Sequence, residues 1–338
     1  MPNDVQRGHH LVVVGASAGG VEALRDFAAG LPHDFPAAVL VVLHLPPLGT
    51  SVLPEIIGRA GNLPAKEAKD REPIVGGRIY VGPPGFHLTV YGNRLHLDPG
   101  PMVNGHRPAI DRLFQTAAHA HREGVAGVVL SGVLDDGTLG LGAIKRHGGL
   151  TVVQDPEDAL YRSMPDAALE HVKADFILAA RAIGPALAES AATPNGGWSR
   201  DPGMYDDWLV QIDRAASDEP QPGRATGLSC PDCNGGIWED EEDGRPVYRC
   251  RVGHVYSLES FLAAQNGNVE TALWTALRAL EERAALTRQL AERLRRRGGG
   301  HSASMFDRRA NGTIDQAVVI RELLQALETE ASGTEESS

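Results

Sequence analysis

The sequence has 338 residues, 42% hydrophobic and 22% charged, so it carries enough apolar material for at least one full core and excludes a disordered or fibrous chain. A formal charge of -12 disfavours a surface built to neutralise a phosphate backbone, so nucleic acid is not expected as a partner. No apolar run approaches the ~20 residues a membrane span needs, and residues 1–10 lack a charged-then-apolar signal pattern, so a cytoplasmic protein with no integral membrane segment is expected.

From Leu11 to about Leu187 one unit recurs: a short β-branched apolar run, a glycine-containing turn, then a segment with helical spacing. Strands are predicted at Leu11–Val14, Ala38–Leu43, Arg78–Val81, Gly127–Leu130, Leu150–Val153 and Asp175–Leu178. Helices are predicted at about Gly20–Ala29, Ser51–Arg59, Ala109–Arg122, Thr138–His147 and Pro165–Glu170. The alternation predicts an α/β domain over residues 8–190 on a largely parallel, doubly wound sheet. Between Arg78 and Leu97 two short apolar alternations, one of them His87–Tyr91, flank Gly92-Asn93 and predict an antiparallel hairpin inserted into that sheet.

Residues 191–227 turn to Ser, Pro, Gly and Asp and read as a linker, apart from a short helix around Asp206–Ala215. A compact Cys/His segment follows at 228–256. A helical region at 257–328 comprises a long helix from about Ser257 to Arg297, with Leu273, Leu277, Leu280, Leu290 and Leu294 on its spacing, stopped by Gly298–Gly300. A second amphipathic stretch, Ile314–Leu327, folds back on it as a helical hairpin, and the acidic tail at 329–338 is expected to fray.

Leu11–Val14 runs into Gly15-Ala16-Ser17-Ala18-Gly19-Gly20 and then a helical pattern, which gives Ser17 the strand–turn–helix setting of a nucleophile elbow. On this motif alone, a serine that only caps the helix fits equally well. Phosphate binding fits less well, because no Gly-Lys-Ser/Thr follows and the glycine spacing is not G-x-G-x-x-G. His44 follows the strand Ala38–Leu43, and Asp135-Asp136-Gly137 follow Gly127–Leu130. All three groups therefore fall at carboxyl ends of strands, the edge where open α/β sheets place their ligands. Serine attack needs a neutral imidazole to take the hydroxyl proton and a carboxylate to hold that imidazole, and position along the chain leaves Asp135 and Asp136 as equal candidates for the carboxylate. The chain order Ser, His, Asp differs from the Ser, Asp, His order of α/β-hydrolases.

With these residues in hand, Leu11–Leu187 resembles the CheB-type protein-glutamate methylesterase domain of chemotaxis proteins. The resemblance rests on the glycine-rich run through Ser17, Val42-Leu43-His44-Leu45-Pro46, Tyr80-Val81-Gly82-Pro83-Pro84 with His87, Gly105-His106-Arg107-Pro108-Ala109-Ile110-Asp111, Leu130-Ser131-Gly132-Val133-Leu134-Asp135-Asp136-Gly137 and Ser163-Met164-Pro165. It implies Ser17 as nucleophile, His44 as base and Asp136, rather than Asp135, as the orienting acid. It further implies an oxyanion role for the Val133 amide, where the family usually has Met, and oxyanion or substrate contacts at Ala18, His106 and Arg107. No catalytic cofactor is implied. Ala18 stands where the family has Thr, and Leu43 where it has Gln. Only about ten residues precede the first strand, so no receiver domain is expected there and regulation is expected by another route.

Cys230-Pro231-Asp232-Cys233 and Cys250-Arg251-Val252-Gly253-His254 supply two pairs of soft ligands, enough for a closed, structural Cys₃His zinc site. A CxxC redox pair is the weaker reading, because no thioredoxin-like unit surrounds it. The helices beyond are read as a self-association or partner-binding region, and Arg293, Arg295, Arg296 and Arg297 as a solvated, dipole-complementing helix end. Two functions are carried forward. One is a hydrolase demethylating glutamate methyl esters on chemoreceptor-like proteins, with the family's related deamidation of glutamine as a second reaction. The other is a signalling adaptor whose catalytic domain is slow or regulatory; a small-ester hydrolase stands as a third option.

Overall fold

The computed structural model describes residues 10–45, 51–190, 223–297 and 300–335, so the expected helix at Asp206–Ala215 and most of the linker lie outside the described residues. It divides into two compact units, 1–261 and 262–338.

In the first unit, β1 (Leu11–Ala16), β2 (Ala38–Leu43), β3 (Ala65–Glu67), β4 (Arg78–Val81), β7 (Val125–Val129), β8 (Leu150–Gln154) and β9 (Phe176–Leu178) form one seven-stranded sheet in the order β3-β4-β2-β1-β7-β8-β9. Every pairing in it is parallel. Parallel strands buried on both faces read as continuous apolar runs, and β1 is buried along its whole length. Its alternate residues feed two cores. Leu11 and Val13 pack with Leu113, Phe114 and Ile144 on one face, and Val12 and Val14 with Leu24 and Phe27 on the other. Each such side chain contributes about 1.5–3 kcal/mol on burial.

The helices are α1 (Gly20–Gly30), α2 (Leu53–Ala60), α3 (Ile110–His121), α4 (Thr138–Arg146), α5 (Ser163–His171) and α6 (Ala180–Ser190). The last was not predicted, because Gly184 and Pro185 depress its local propensity. Those small residues serve packing: a Cβ on Gly184 would lie 2.5 Å from the carbonyl carbon of Gly30, so α6 meets α1 where only glycine fits. β3 was also missed, its Ala-Lys-Glu sequence having no apolar run to mark it.

The predicted hairpin exists as β5 (His87–Tyr91) and β6 (Arg94–Asp98), but as a separate two-stranded sheet and not an insertion in the parallel one. His87, fully buried, donates from Nε2 to the Pro101 carbonyl (2.9 Å) and accepts the Ala109 N–H at Nδ1 (3.2 Å), a neutral tautomer with both nitrogens used. Burial pushes its pKa down to about 4. Its stabilising contribution is thus full above the ordinary histidine range and is lost as pH falls from about 6.5 toward about 4, because only the unfolded ring takes the proton. Urea unfolding at pH 7 and pH 5 should show a loss from this ring of about 2 kcal/mol, and His87→Gln should flatten the profile by that amount. An unchanged slope in the variant would remove His87 as the cause.

β10 (Arg224–Ser229), which begins within the residues expected as linker, forms with β11 (Gly236–Glu242), β12 (Arg245–Cys250) and β13 (Val255–Ser257) an antiparallel ribbon that belongs to the first unit. The second unit is mainly an antiparallel pair, α7 (Leu258–Arg296) and α8 (Gly300–Glu335). Leu277, Ala284 and Ala291 on α7 and Ala303, Ala310, Ala317 and Leu324 on α8 are buried at seven-residue steps, a coiled-coil seam in which alanines permit close approach. Leu290, expected on the seam, is 43% exposed. α8 starts earlier than the predicted Ile314 and continues to Glu335, through residues expected to fray.

Candidate active site

The sheet order reverses direction at β1, with β2 on one side and β7 on the other, and such a switch point opens a crevice at the carboxyl edge. Ser17 leaves β1 there, His44 leaves β2, and Asp136 lies in the turn after β7. Gly19, at φ +66°, makes the sharp bend into α1. Ser17 N–H donates to the Ser131 carbonyl at 2.9 Å, tying the turn after β1 to the turn after β7. A Cβ on Gly132 would sit 3.0 Å from the Ser17 Cβ, so the second turn can lie against Ser17 only as glycine.

His44 Nδ1 lies 3.1 Å from Ser17 Oγ, and His44 Nε2 lies 2.8 Å from Asp136 Oδ2. The carboxylate holds the proton on Nε2 and leaves Nδ1 as the acceptor for the Ser17 hydroxyl. These ring nitrogens have exchanged the roles they play in chymotrypsin-like triads. Asp136 accepts three further hydrogen bonds: Ile110 N–H at Oδ2 (2.7 Å), and Asp111 N–H (3.2 Å) and Asn104 Nδ2 (3.1 Å) at Oδ1. Burial alone would raise its pKa, but the hydrogen bond and charge of His44, followed by His106 and the Ile110 amide, hold it well below the usual carboxylate range. Asp111 goes the other way: burial, then the Asp136 charge beside it, push it well above that range. The two neighbouring buried acids are thus shifted in opposite directions.

His106 stacks face to face on His44, with ring centroids 3.6 Å apart and planes 9° apart. Burial, then the proximity of His44, push its pKa down to about 4, so at neutral pH it confines the His44 ring as an uncharged neighbour. Arg107 points elsewhere, donating from Nη1 to the Pro99 and Gly100 carbonyls. Val133 is 40% exposed beside the nucleophile turn. The Ala18 carbonyl accepts the Ser131 hydroxyl at 2.8 Å. Asn104, Asp111 and Ser131 were assigned no role from the sequence; the Asn-Gly step at Asn104-Gly105 and the places of Asp111 and Ser131 inside two of the quoted motifs were the available signals.

At the ribbon, Cys230, Cys233, Cys250 and His254 present ligand atoms all within 4.8 Å of one another. Cys233 and Cys250 sulfurs are 3.7 Å apart, and His254 Nδ1 is 3.6 Å from Cys230 Sγ and 3.5 Å from Cys250 Sγ. Metal bonds of about 2.3 Å to sulfur and 2.0 Å to nitrogen fit a tetrahedron with such edges. His254 Nε2 faces the Asp232 carboxylate at 3.8 Å, an acid placed just outside the cluster. The residues present fit a closed structural metal site.

The family described as CheB methylesterase matches residues 12–187, slightly more than half of the chain. A protein-glutamate methylesterase/protein-glutamine glutaminase of Caulobacter vibrioides is 40% identical over 185 residues, 53% of this chain and 53% of that protein. One from Maricaulis maris is 36% identical over 189 residues, 55% of this chain and 47% of its own. The chain thus spans about half the length of these curated relatives. The crystal structure of the Thermotoga maritima CheB methylesterase catalytic domain is similar with a TM-score of 0.51 and 33% identity, over 54% of this chain and 98% of that one.

Proposed function

Since the chain belongs to the CheB methylesterase family, we propose that it is a serine-type carboxyl-ester hydrolase that removes methyl groups from glutamate side chains of chemoreceptor-like proteins. The observation that carries this reading is the continuous contact chain Ser17–His44–Asp136 at 3.1 and 2.8 Å. Ser17 Oγ attacks the ester carbonyl while His44 Nδ1 takes its proton, and Asp136 stabilises the imidazolium that forms. With the Ser17 and Gly132 N–H groups committed to the Ser131 and Tyr161 carbonyls, Ala18 and Val133 are the amides assigned to the oxyanion. His44 then returns the proton to the departing methoxide, and water repeats the sequence on the acyl-enzyme. A glutamine amide fits the same steps with ammonia leaving, in keeping with the glutaminase named for the relatives.

The test is methanol release from receptor membranes carrying labelled methyl esters. Ser17-dependent release supports the reading, and none from protein that hydrolyses a small ester would turn it toward a small-molecule esterase. Among the described residues, no helix is long and apolar enough to cross a membrane, in keeping with an enzyme working on receptor tails from the cytoplasmic side. The paired helices are assigned to partner binding or self-association, supported by exposed Val269, Trp274, Leu286 and Val319.

The ribbon metal is assigned as zinc, on three thiolates and one imidazole. Elemental analysis of purified, reduced protein should find about one zinc per chain, and chelation should release it and expose the three thiols to titration. Reduced protein free of metal would reject the assignment.

A further inference from the structure

The reaction steps make no use of the ribbon, yet it lands on the segments that support the catalytic acid. Arg245 Nη2 donates to Asp135 Oδ2 at 2.8 Å in a pair whose side chains are only 10% and 3% exposed. Ser257 and Ser260 hydroxyls donate to Asp135 Oδ1 at 2.7 and 3.2 Å. Val255 pairs with the segment that carries His106: Asn104 N–H donates to the Val255 carbonyl (2.7 Å), and Val255 N–H to the Met102 carbonyl (3.3 Å). Ser257 N–H donates to Asn104 Oδ1 at 2.9 Å.

That last bond decides which way the Asn104 amide points. Its oxygen is taken by the ribbon, so its two N–H hydrogens face the acids, reaching Asp136 Oδ1 at 3.1 Å and Asp111 Oδ2 at 3.2 Å. Turned over, the amide would put oxygen against the ionised Asp136 and a nitrogen against the Ser257 N–H. The ribbon also fixes the backbone that presents His106 to His44. Asp136 and His106, the two groups that hold the catalytic imidazole, therefore both rest on residues 102–106, and residues 102–106 rest on β13.

We propose that the Cys/His ribbon is a positioning clamp for the catalytic acid, so that metal loading of the ribbon sets the turnover of the esterase; this rests on the methylesterase reading above. Cys250 ends β12, and His254 directly precedes Val255, so two ligands flank the turn that joins the strand pair carrying the clamp. The ribbon's fully buried apolar content is little more than Ile237, Val247 and Tyr256, with Cys230 and Cys250 filling the rest, so its shape depends on the cross-link a metal supplies. Asn104, Ser257 and Arg245 are positioning residues: they act through Asp135 and Asp136 and touch no reacting atom.

The experiment compares the full chain loaded with zinc, stripped by a chelator under reducing conditions, and reloaded. A small soluble methyl ester serves as substrate, and amide hydrogen exchange as the second readout. On stripping, kcat should fall about tenfold or more while KM stays within about twofold, and reloading should restore it. Exchange at the Ile110 and Asp111 amides, which donate to Asp136, should accelerate, while that of β4 stays constant. Unchanged kcat and exchange on stripping would overturn the clamp, and so would acceleration spread evenly through β4, which would mean general destabilisation. With zinc retained, Ser257→Ala should lower kcat and Ser257→Thr, which keeps the hydroxyl on Asp135, should restore it; equal rates in the two would also overturn it. If the loaded protein hydrolyses no ester, the methylesterase reading falls, and the exchange at Ile110 and Asp111 still decides the clamp.

Discussion

Replacing Ser17 with alanine is expected to reduce ester hydrolysis at least ~10³-fold, because in a cooperating triad the base and the acid accomplish little without the nucleophile. The change removes one hydroxyl on a half-buried residue whose backbone bond to the Ser131 carbonyl is untouched, so folding and thermal unfolding should match the wild type. Methanol release from methylated receptor membranes is the assay, with background set by enzyme-free samples. Wild-type turnover in Ser17→Ala would remove serine catalysis from consideration, whatever the rest of the site looks like.

The second large effect is expected at Asp136, and its neighbour serves as the control. Asp136→Asn should lower kcat by ~10²–10⁴-fold, since an amide no longer fixes the Nε2 proton of His44 or stabilises the imidazolium. The cost extends to the fold. Asp136 accepts from His44, Ile110, Asp111 and Asn104, and an amide offers only one oxygen to those four donors. Asp135→Asn touches none of them. Its carboxylate faces Arg245, Ser257 and Ser260, so the expected result is a smaller loss in kcat together with weaker seating of the ribbon. A larger kcat loss at Asp135 than at Asp136 would reverse the assignment of the acid.

The contrast between these two neighbours shows where sequence reading stops. Strands such as β2 and β7 are legible because a buried parallel strand must be apolar along its length, and that places Ser17, His44 and the Asp135-Asp136 pair on one edge. Which acid turns toward His44 depends on backbone angles in the turn after β7, where Leu134 adopts φ +61°, and no residue-type pattern encodes that choice. The resemblance to a family selected Asp136, and it is Asp136 whose Oδ2 lies 2.8 Å from His44 Nε2. Asn104 was invisible for a different reason: its role comes from a ribbon more than a hundred residues later in the chain. β3 and α6 escaped because their residues are not those of typical strands and helices, and packing against β4 and α1 decides them. The Cys230, Cys233, Cys250 and His254 cluster was legible, since spacing alone brings two short knuckles together.

The docked ribbon also fixes a timetable for the chain's synthesis. The bond from Arg245 to Asp135 joins residues 110 apart in sequence, and that from Ser257 to Asn104 joins residues 153 apart. Ribosomes add about 5–20 residues per second and N-terminal domains fold first, so Ser17, His44 and Asp136 leave the exit tunnel several seconds before the strands that brace them. During that interval the nascent enzyme has its triad residues without the support for its acid. Under the proposed clamp, a chain assembled in this order completes its site only after residues 245–257 have been translated and have docked.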